Sequence, residues 1–212
     1  FELAKVYIAE KLPLENFPDE RLHLVMGTWG SDDFFALKGI CENIADGLNT
    51  KFEYVPAVRP FLHPGKTAEI VCDGEKVGYI GCLDPAVLEE IAAERPMVLA
   101  EFDYELLKKH AKPFRYTPMP KFAEVQRDLA LIADADVTCG AIEKEIKGAC
   151  RYVSDVKLFD IYSGSQIESG KKSMAFTLTF TPKDEAFTGE KIDGFIKKIL
   201  SNLKFRLGVK LR

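Results

Sequence analysis

The order of periodicities in the last hundred residues limits what this chain can fold into more than any other feature. Val125 to Ala133 predicts a strand, Val137 to Cys150 a helix, and Val153 to Tyr162 and Ser173 to Phe180 two further strands. A second helix is predicted from Gly189 to Leu203 and a short closing strand from Leu207 to Arg212. Strand, helix, strand, strand, helix, strand is the order of a ferredoxin-like domain, whose two helices cover one face of a four-stranded antiparallel sheet. The other face stays bare and is available for binding.

The third of these strands says which side chains go where. Successive strand residues point to opposite faces, so Met174, Phe176, Leu178 and Phe180 share one face and Ser173, Ala175, Thr177 and Thr179 the other. The large residues must meet the helices. Ser173, Ala175 and Thr177 are then expected on the bare face. Aromatic stacking from this strand, as in common RNA-recognition sheets, is not expected.

Upstream, Lys112 to Pro120 holds Pro113, Pro118 and Pro120, which deny the backbone donors and φ freedom that a helix or inner strand needs. We read this as a connector between domains at residues 1–117 and 118–212. The first is expected to be mainly antiparallel sheet with flanking helices, making the whole α+β. Alternation predicts strands at Leu3 to Ile8, Leu22 to Thr28, Phe52 to Val55, Ala68 to Cys72, Lys76 to Leu83 and Val98 to Asp103. Asp73-Gly74 is a hairpin signal. Helices are expected after Ser31, a candidate N-cap, with an apolar stripe of Leu37, Ile40, Cys41, Ile44 and Leu48 ending near Gly47, and again after Asp84 and from Tyr104 to His110.

Charge separates the halves. Residues 1–117 carry 13 Lys/Arg against 20 Asp/Glu, and residues 118–212 carry 16 against 13. The last 22 residues hold Lys191, Lys197, Lys198, Lys204, Arg206, Lys210 and Arg212 against Asp193 alone, which suits either a surface near phosphates or a solvated helix face. With 47% hydrophobic and 29% charged residues, a globular chain with a full core is expected, and no apolar run reaches transmembrane length. No signal-peptide pattern opens the chain, so a cytoplasmic location is expected, with no membrane partner. Because the first residue is Phe and already lies in strand-like alternation, a piece of a longer polypeptide is expected.

Chemistry-bearing motifs are sparse. Cys41, Cys72, Cys82, Cys139 and Cys150 include no Cys-x-x-Cys pair and the three histidines are scattered, so reduced, mostly buried thiols and no metal site are expected. No Ser-His-Asp order, phosphate-binding glycine loop or matched acid and base identifies a catalytic site. Asp32-Asp33 reads as acids complementing a helix dipole, and His63-Pro64-Gly65-Lys66 as a turn. Candidate binding residues are Lys171, Lys172 and Ser173 at the start of the third strand, with Arg127 and Arg212. The lysines are either solvated turn residues or contacts to an RNA backbone, and Arg127 either joins them or pairs with Asp128.

Four segments, Arg127-Asp128-Leu129-Ala130, Leu158-Phe159-Asp160-Ile161-Tyr162, Gly170-Lys171-Lys172-Ser173 with Ala175, and the closing Leu211-Arg212, arrive in an order and spacing that resemble the β subunit of bacterial phenylalanine–tRNA ligase. Residues 118–212 resemble its ferredoxin-fold anticodon-binding domain. Residues 1–117 resemble the end of its inactive class II synthetase-like module, through Asp33-Phe34-Phe35, His63-Pro64-Gly65-Lys66, and Gly78-Tyr79-Ile80-Gly81 with Pro85. The arginine-bearing motif that contacts ATP in the catalytic subunit is missing, and Ala186-Phe187-Thr188 departs from the Thr-Leu usual in the family. The resemblance implies a non-catalytic portion of an enzyme in which an α subunit uses ATP and Mg2+ to join phenylalanine to its tRNA. It implies that α subunit and tRNA(Phe) as partners, an α2β2 assembly, editing carried elsewhere in the β subunit, and no cofactor in these residues. A regulatory or scaffolding module is the rival, because ferredoxin-like sheets host many functions.

Overall fold

Turn chemistry and alternation assemble the first sheet. The computed structural model describes residues 1–30, 34–116, 118–164, 166–183 and 185–212, so the candidate cap Ser31 and the pair Asp32-Asp33 lie outside the described residues. The chain divides into two compact units, Phe1–Tyr116 and Thr117–Arg212, with the boundary in the proline-rich stretch of the sequence.

In the first unit, β1 (Glu2–Ile8), β2 (Asp19–Trp29), β3 (Glu53–Pro56), β4 (Leu62–Cys72), β5 (Glu75–Leu83) and β6 (Met97–Asp103) form an antiparallel sheet in the order β1-β2-β6-β5-β4-β3. Helices α1 (Phe34–Gly47), α2 (Pro85–Glu90) and α3 (Tyr104–His110) complete it. Leu37 and Cys41 of α1 and Leu107 of α3 close over Met26, Ile70, Ile80, Ala100 and Phe102. Asp73 and Gly74 take φ of 47° and 82°, as a tight hairpin turn between β4 and β5 demands. Asp84 and Asp103 cap α2 and α3 by accepting hydrogen bonds from Ala86 N and from Glu105 and Leu106 N, satisfying donors that a helix start leaves free.

Two expectations need correction here. Ile40 is 44% exposed; of the expected stripe, Leu37 and Cys41 are buried and Ile44 and Leu48 pack against the same core, while Ala45 is buried in addition. His63 to Lys66 is not a turn between elements but a register shift inside β4, folded on itself by Gly65 N–H donating to His63 Nδ1 and Thr67 Oγ1 donating to the His63 carbonyl.

The second unit contains β7 (Val125–Asp134), α4 (Cys139–Ala149), β8 (Val153–Tyr162), β9 (Lys171–Phe180), α5 (Gly189–Leu207) and β10 (Lys210–Leu211), with strand order β10-β7-β9-β8. This is the expected βαββαβ arrangement. Met174, Phe176, Leu178 and Phe180 are fully buried against Ile142, Ile146, Ile192, Ile199 and Leu203 of the two helices. Thr138 and Thr188 cap α4 and α5 through Ala141 N and Lys191 N. Phe187, at the position that departs from the family pattern, packs edge-on against Tyr152 and Phe195, at centroid distances of 5.2 and 5.4 Å. Helix α5 runs on to Leu207, where Gly208 (φ 67°) ends it with its N–H on the Lys204 carbonyl and Val209 N–H on that of Leu203. The closing strand is therefore only Lys210–Leu211, shorter than expected, because residues to Leu207 stay helical.

Phe176→Ala is expected to destabilise the second unit by about 3–5 kcal/mol through the cavity it leaves, and Thr188→Ala by about 1 kcal/mol through the lost cap. Urea unfolding of the two variants checks both the order and the gap.

Candidate nucleic-acid interface

Register decides which side chains share the bare face of the second sheet. On β9, Ser173, Ala175, Thr177 and Thr179 lie opposite Ile132, Ala130, Asp128 and Gln126 of β7, and opposite Tyr162, Asp160, Lys157 and Asp155 of β8. Lys210 of β10 pairs with Ile132, and Arg212 N–H continues the ladder by donating to the Ala130 carbonyl at 2.8 Å. Arg212 thus joins this face, with its guanidinium 5.9 Å from the Tyr162 ring centroid and Nη2 donating to Gln166 Oε1 at 3.4 Å. Thr177 Oγ1 donates to Asp128 Oδ1 at 2.7 Å.

The five sequence candidates do not all converge. Lys171, Ser173 and Arg212 belong to the bare face. Lys172 pairs with Ala133 and Arg127 with Leu178, so alternation turns both to the helix-covered side. Lys172 Nζ donates to the Ala135 carbonyl at 2.8 Å and Arg127 to the Gln126 carbonyl at 2.9 Å. The Arg127–Asp128 pair does not form, since neighbours on a strand point apart and Asp128 accepts from Thr177 instead. Ser173 keeps the right face but is only 4% exposed, overshadowed by its larger cross-strand neighbours Ile132 and Tyr162. Lys171 is held by Glu168, 3.0 Å away, and that hydrogen bond raises its already high pKa.

Two aromatic residues on β8 escaped the sequence reading. Tyr162 faces Ser173, and Phe159 sits at a bulge between the Leu158 and Asp160 pairings, 55% exposed. The signal was present in the segment Leu158 to Tyr162, but a bulge breaks the simple alternation that would place its side chains. The face therefore carries an aromatic and cationic end, with Tyr162, Arg212, Lys210 and Lys171, beside acids at Asp128, Asp155 and Asp160.

The uncovered face of the first unit is different in kind. His23 Nδ1 lies 2.5 Å from Glu101 Oε1, Tyr79 donates to the other Glu101 oxygen, and the Arg59 guanidinium stacks 3.7 Å from the Tyr79 ring centroid while reaching Glu69 at 3.3 Å. Burial favours the neutral Glu101 carboxyl, but the hydrogen bonds from Tyr79 and His23, with Arg59 nearby, outweigh it and hold the pKa below the ordinary carboxylate value. A magnesium nucleotide needs uncommitted cations for its phosphates and clustered oxygen ligands for its metal. Here the charged groups are spent on one another, and among the described residues no cluster of carboxylates is placed to hold Mg2+. These residues do not fit ATP and magnesium.

A six-stranded antiparallel sheet with helices, followed by a four-stranded sheet covered by helices on one face, makes this a protein of two α+β units. Residues 1–104 match the family model described as the phenylalanyl tRNA synthetase beta chain CLM domain, and residues 120–212 match the ferredoxin-fold anticodon binding domain. Proteins named phenylalanine–tRNA ligase beta subunit are similar along the whole chain: that of Geobacillus kaustophilus is 35% identical and that of Clostridium tetani 37%, each over 100% of this chain. The Bacillus subtilis protein of the same name is 33% identical over 96% of it. The chain belongs to the phenylalanine–tRNA ligase beta-subunit family. It spans 27–28% of the length of these relatives.

The Glu101 row supplies a pH test. A carboxyl whose pKa is depressed by folding contributes stability that is present above its unfolded pKa and is lost as pH falls through the folded one. Wild type should exceed Glu101→Gln in stability most near neutral pH, with the gap closing on acidification; thermal unfolding across a pH series measures it, and a gap independent of pH would mean that the carboxylate contributes nothing as an ion.

Proposed function

We propose that this chain is a non-catalytic portion of a phenylalanine–tRNA ligase β subunit, with residues 118–212 binding the anticodon region of tRNA(Phe) and residues 1–117 contributing to subunit assembly. The observation that carries the reading is the bare sheet face of the second unit, which combines a small-residue floor at Ala130, Ala175 and Thr177 with the Tyr162, Arg212 and Lys171 end, in a domain matching the anticodon-binding family. Aromatic rings stack on unpaired bases, and guanidinium and ammonium groups meet the backbone. Mixed acids on the same face limit nonspecific attraction and can accept hydrogen bonds from base edges.

In this reading the α subunit supplies phenylalanine activation with ATP and Mg2+, the assembly is α2β2, and the complex works in the cytoplasm. No described helix is long and apolar enough to cross a membrane. The acidic, self-paired first unit suits a protein partner better than a polyanion.

The test is a titration with tRNA(Phe), native or with a substituted anticodon, at several salt concentrations. Native tRNA should bind more tightly, with log K falling by about 0.7–0.9 per phosphate neutralised for each log unit of salt. Arg212→Ala and Lys171→Ala should each weaken binding and flatten the salt slope by about one contact, whereas Arg127→Ala and Lys172→Ala, on the helix side, should change it little. Equal affinity for both anticodons would reject anticodon recognition by this unit.

A further inference from the structure

The hairpin turn between β4 and β5 meets the C-terminal end of α3 at a cluster that the reading above does not use. We infer that Cys72, Asp73 and His110 form a binding site for a divalent transition metal of borderline softness, Zn2+ foremost. One donor atom from each of the three lies within 4.8 Å of the others. Thiolate, imidazole and carboxylate together select Zn2+ or Co2+ over Mg2+ and Ca2+, which take oxygen ligands. Cys72 and Asp73 are neighbours but His110 lies far from them in sequence, so no ligand-spacing motif announces the group.

His110 is the informative member. Its Nε2 is 2.7 Å from Glu75 Oε2, a hydrogen bond, whereas its Nδ1 is 3.6 Å from Asp73 Oδ2. When its proton sits on Nε2 toward Glu75, Nδ1 offers a lone pair on the side of Asp73 Oδ2, the oxygen that Lys112 also approaches. The Nδ1–Oδ2 separation is too long for a hydrogen bond and close to the roughly 3.4 Å between two N and O ligands of a tetrahedral zinc ion. A carboxylate on the far nitrogen is also the usual way in which a metal-bound histidine is oriented.

The surroundings hold the parts in place. Lys112 N–H donates to the Leu48 carbonyl at 2.8 Å and Asn49 Nδ2 to the Lys112 carbonyl at 3.1 Å, strapping the segment that follows α3 to the end of α1. Cys72 is buried with Sγ 3.0 Å from Thr50 Oγ1. An open depression of about 480 Å³ bordered by Asn49, Thr50, Asp73 and Lys112 reaches the Asp73 side of the group. Lys112 Nζ is 2.7 Å from Asp73 Oδ2 and Lys109 Nζ 2.6 Å from Glu75 Oε2. These lysines neutralise the acids in the metal-free protein, and Lys112, half exposed, gives up its oxygen to the ion. On binding, the Cys72 S–H bond breaks, a sulfur–metal bond forms and the proton passes to solvent; nothing is oxidised or reduced. Three protein donors leave a coordination position for water.

The experiment titrates the reduced, chelator-stripped chain with Co2+ alone, a spectroscopic stand-in for zinc. Expected is a thiolate-to-cobalt charge-transfer absorption saturating at one ion per chain and bleached by Zn2+. Cys72→Ser should abolish the band. Glu75→Gln should weaken binding by roughly 10- to 100-fold, and His110→Gln by more. Because Cys72 is in the core, His110→Gln, with its fold verified by circular dichroism, carries the decision. No thiolate band in the wild type, or one that persists unweakened in His110→Gln, overturns the site and leaves His110 as a member of an ion-pair network only.

Discussion

Strand β9 is the constraint from which the second unit follows. It is paired along its length on both sides, with β7 and with β8, so its backbone has no freedom to slip by a residue. A one-residue slip would exchange the two faces of every side chain at once. The four large apolar residues would then meet solvent and the small polar ones the helices. Packing against α4 and α5 and the composition of the bare face are therefore one decision, made by a repeat of two along ten residues.

That repeat is why so much of the fold was legible in the sequence. Periodicity identified every strand of the second unit and both its helices, and Asp73-Gly74 and Asp84 mark a turn and a helix start by local chemistry that needs no tertiary context. The misses have specific causes. Ile40 satisfies helical spacing, yet Leu37, Cys41, Ile44 and Leu48 already supply the face that meets the core, and Ile40 lies at its edge, 44% exposed. The end of α5 was placed early because the hydrophobic pattern fades before the helix does. Gly208, free to adopt a left-handed conformation, was the better stop signal.

The candidate interface was less legible, for a reason that also lies in parity. Lys171 and Lys172 look like a pair in sequence, but adjacent strand residues diverge, and only the first belongs with Arg212. Arg127 fails on the same count. Ser173 was placed on the proper face, but exposure depends on the size of its cross-strand neighbours, which sequence order alone does not reveal. Tyr162 and Phe159 went unassigned because the bulge on β8 resets the alternation between them. Ligand-like groupings made by distant residues, such as Cys72 with His110, are invisible to spacing rules altogether.

The irregularity of β8 has a consequence beyond the aim of two aromatic rings. A sheet left bare on one face, with β8 as its outer strand, offers unpaired backbone groups along a free edge, the usual route to strand-on-strand association between molecules. Two register shifts interrupt β8, one between Val153 and Asp155 and the other between Leu158 and Asp160, and bulges of this kind bend and twist a strand locally. A second molecule would find no long, straight ladder to extend. The same distortion that leaves Phe159 exposed thus makes β8 a poor template, allowing the domain to keep one face of its sheet open without becoming a seed for aggregation.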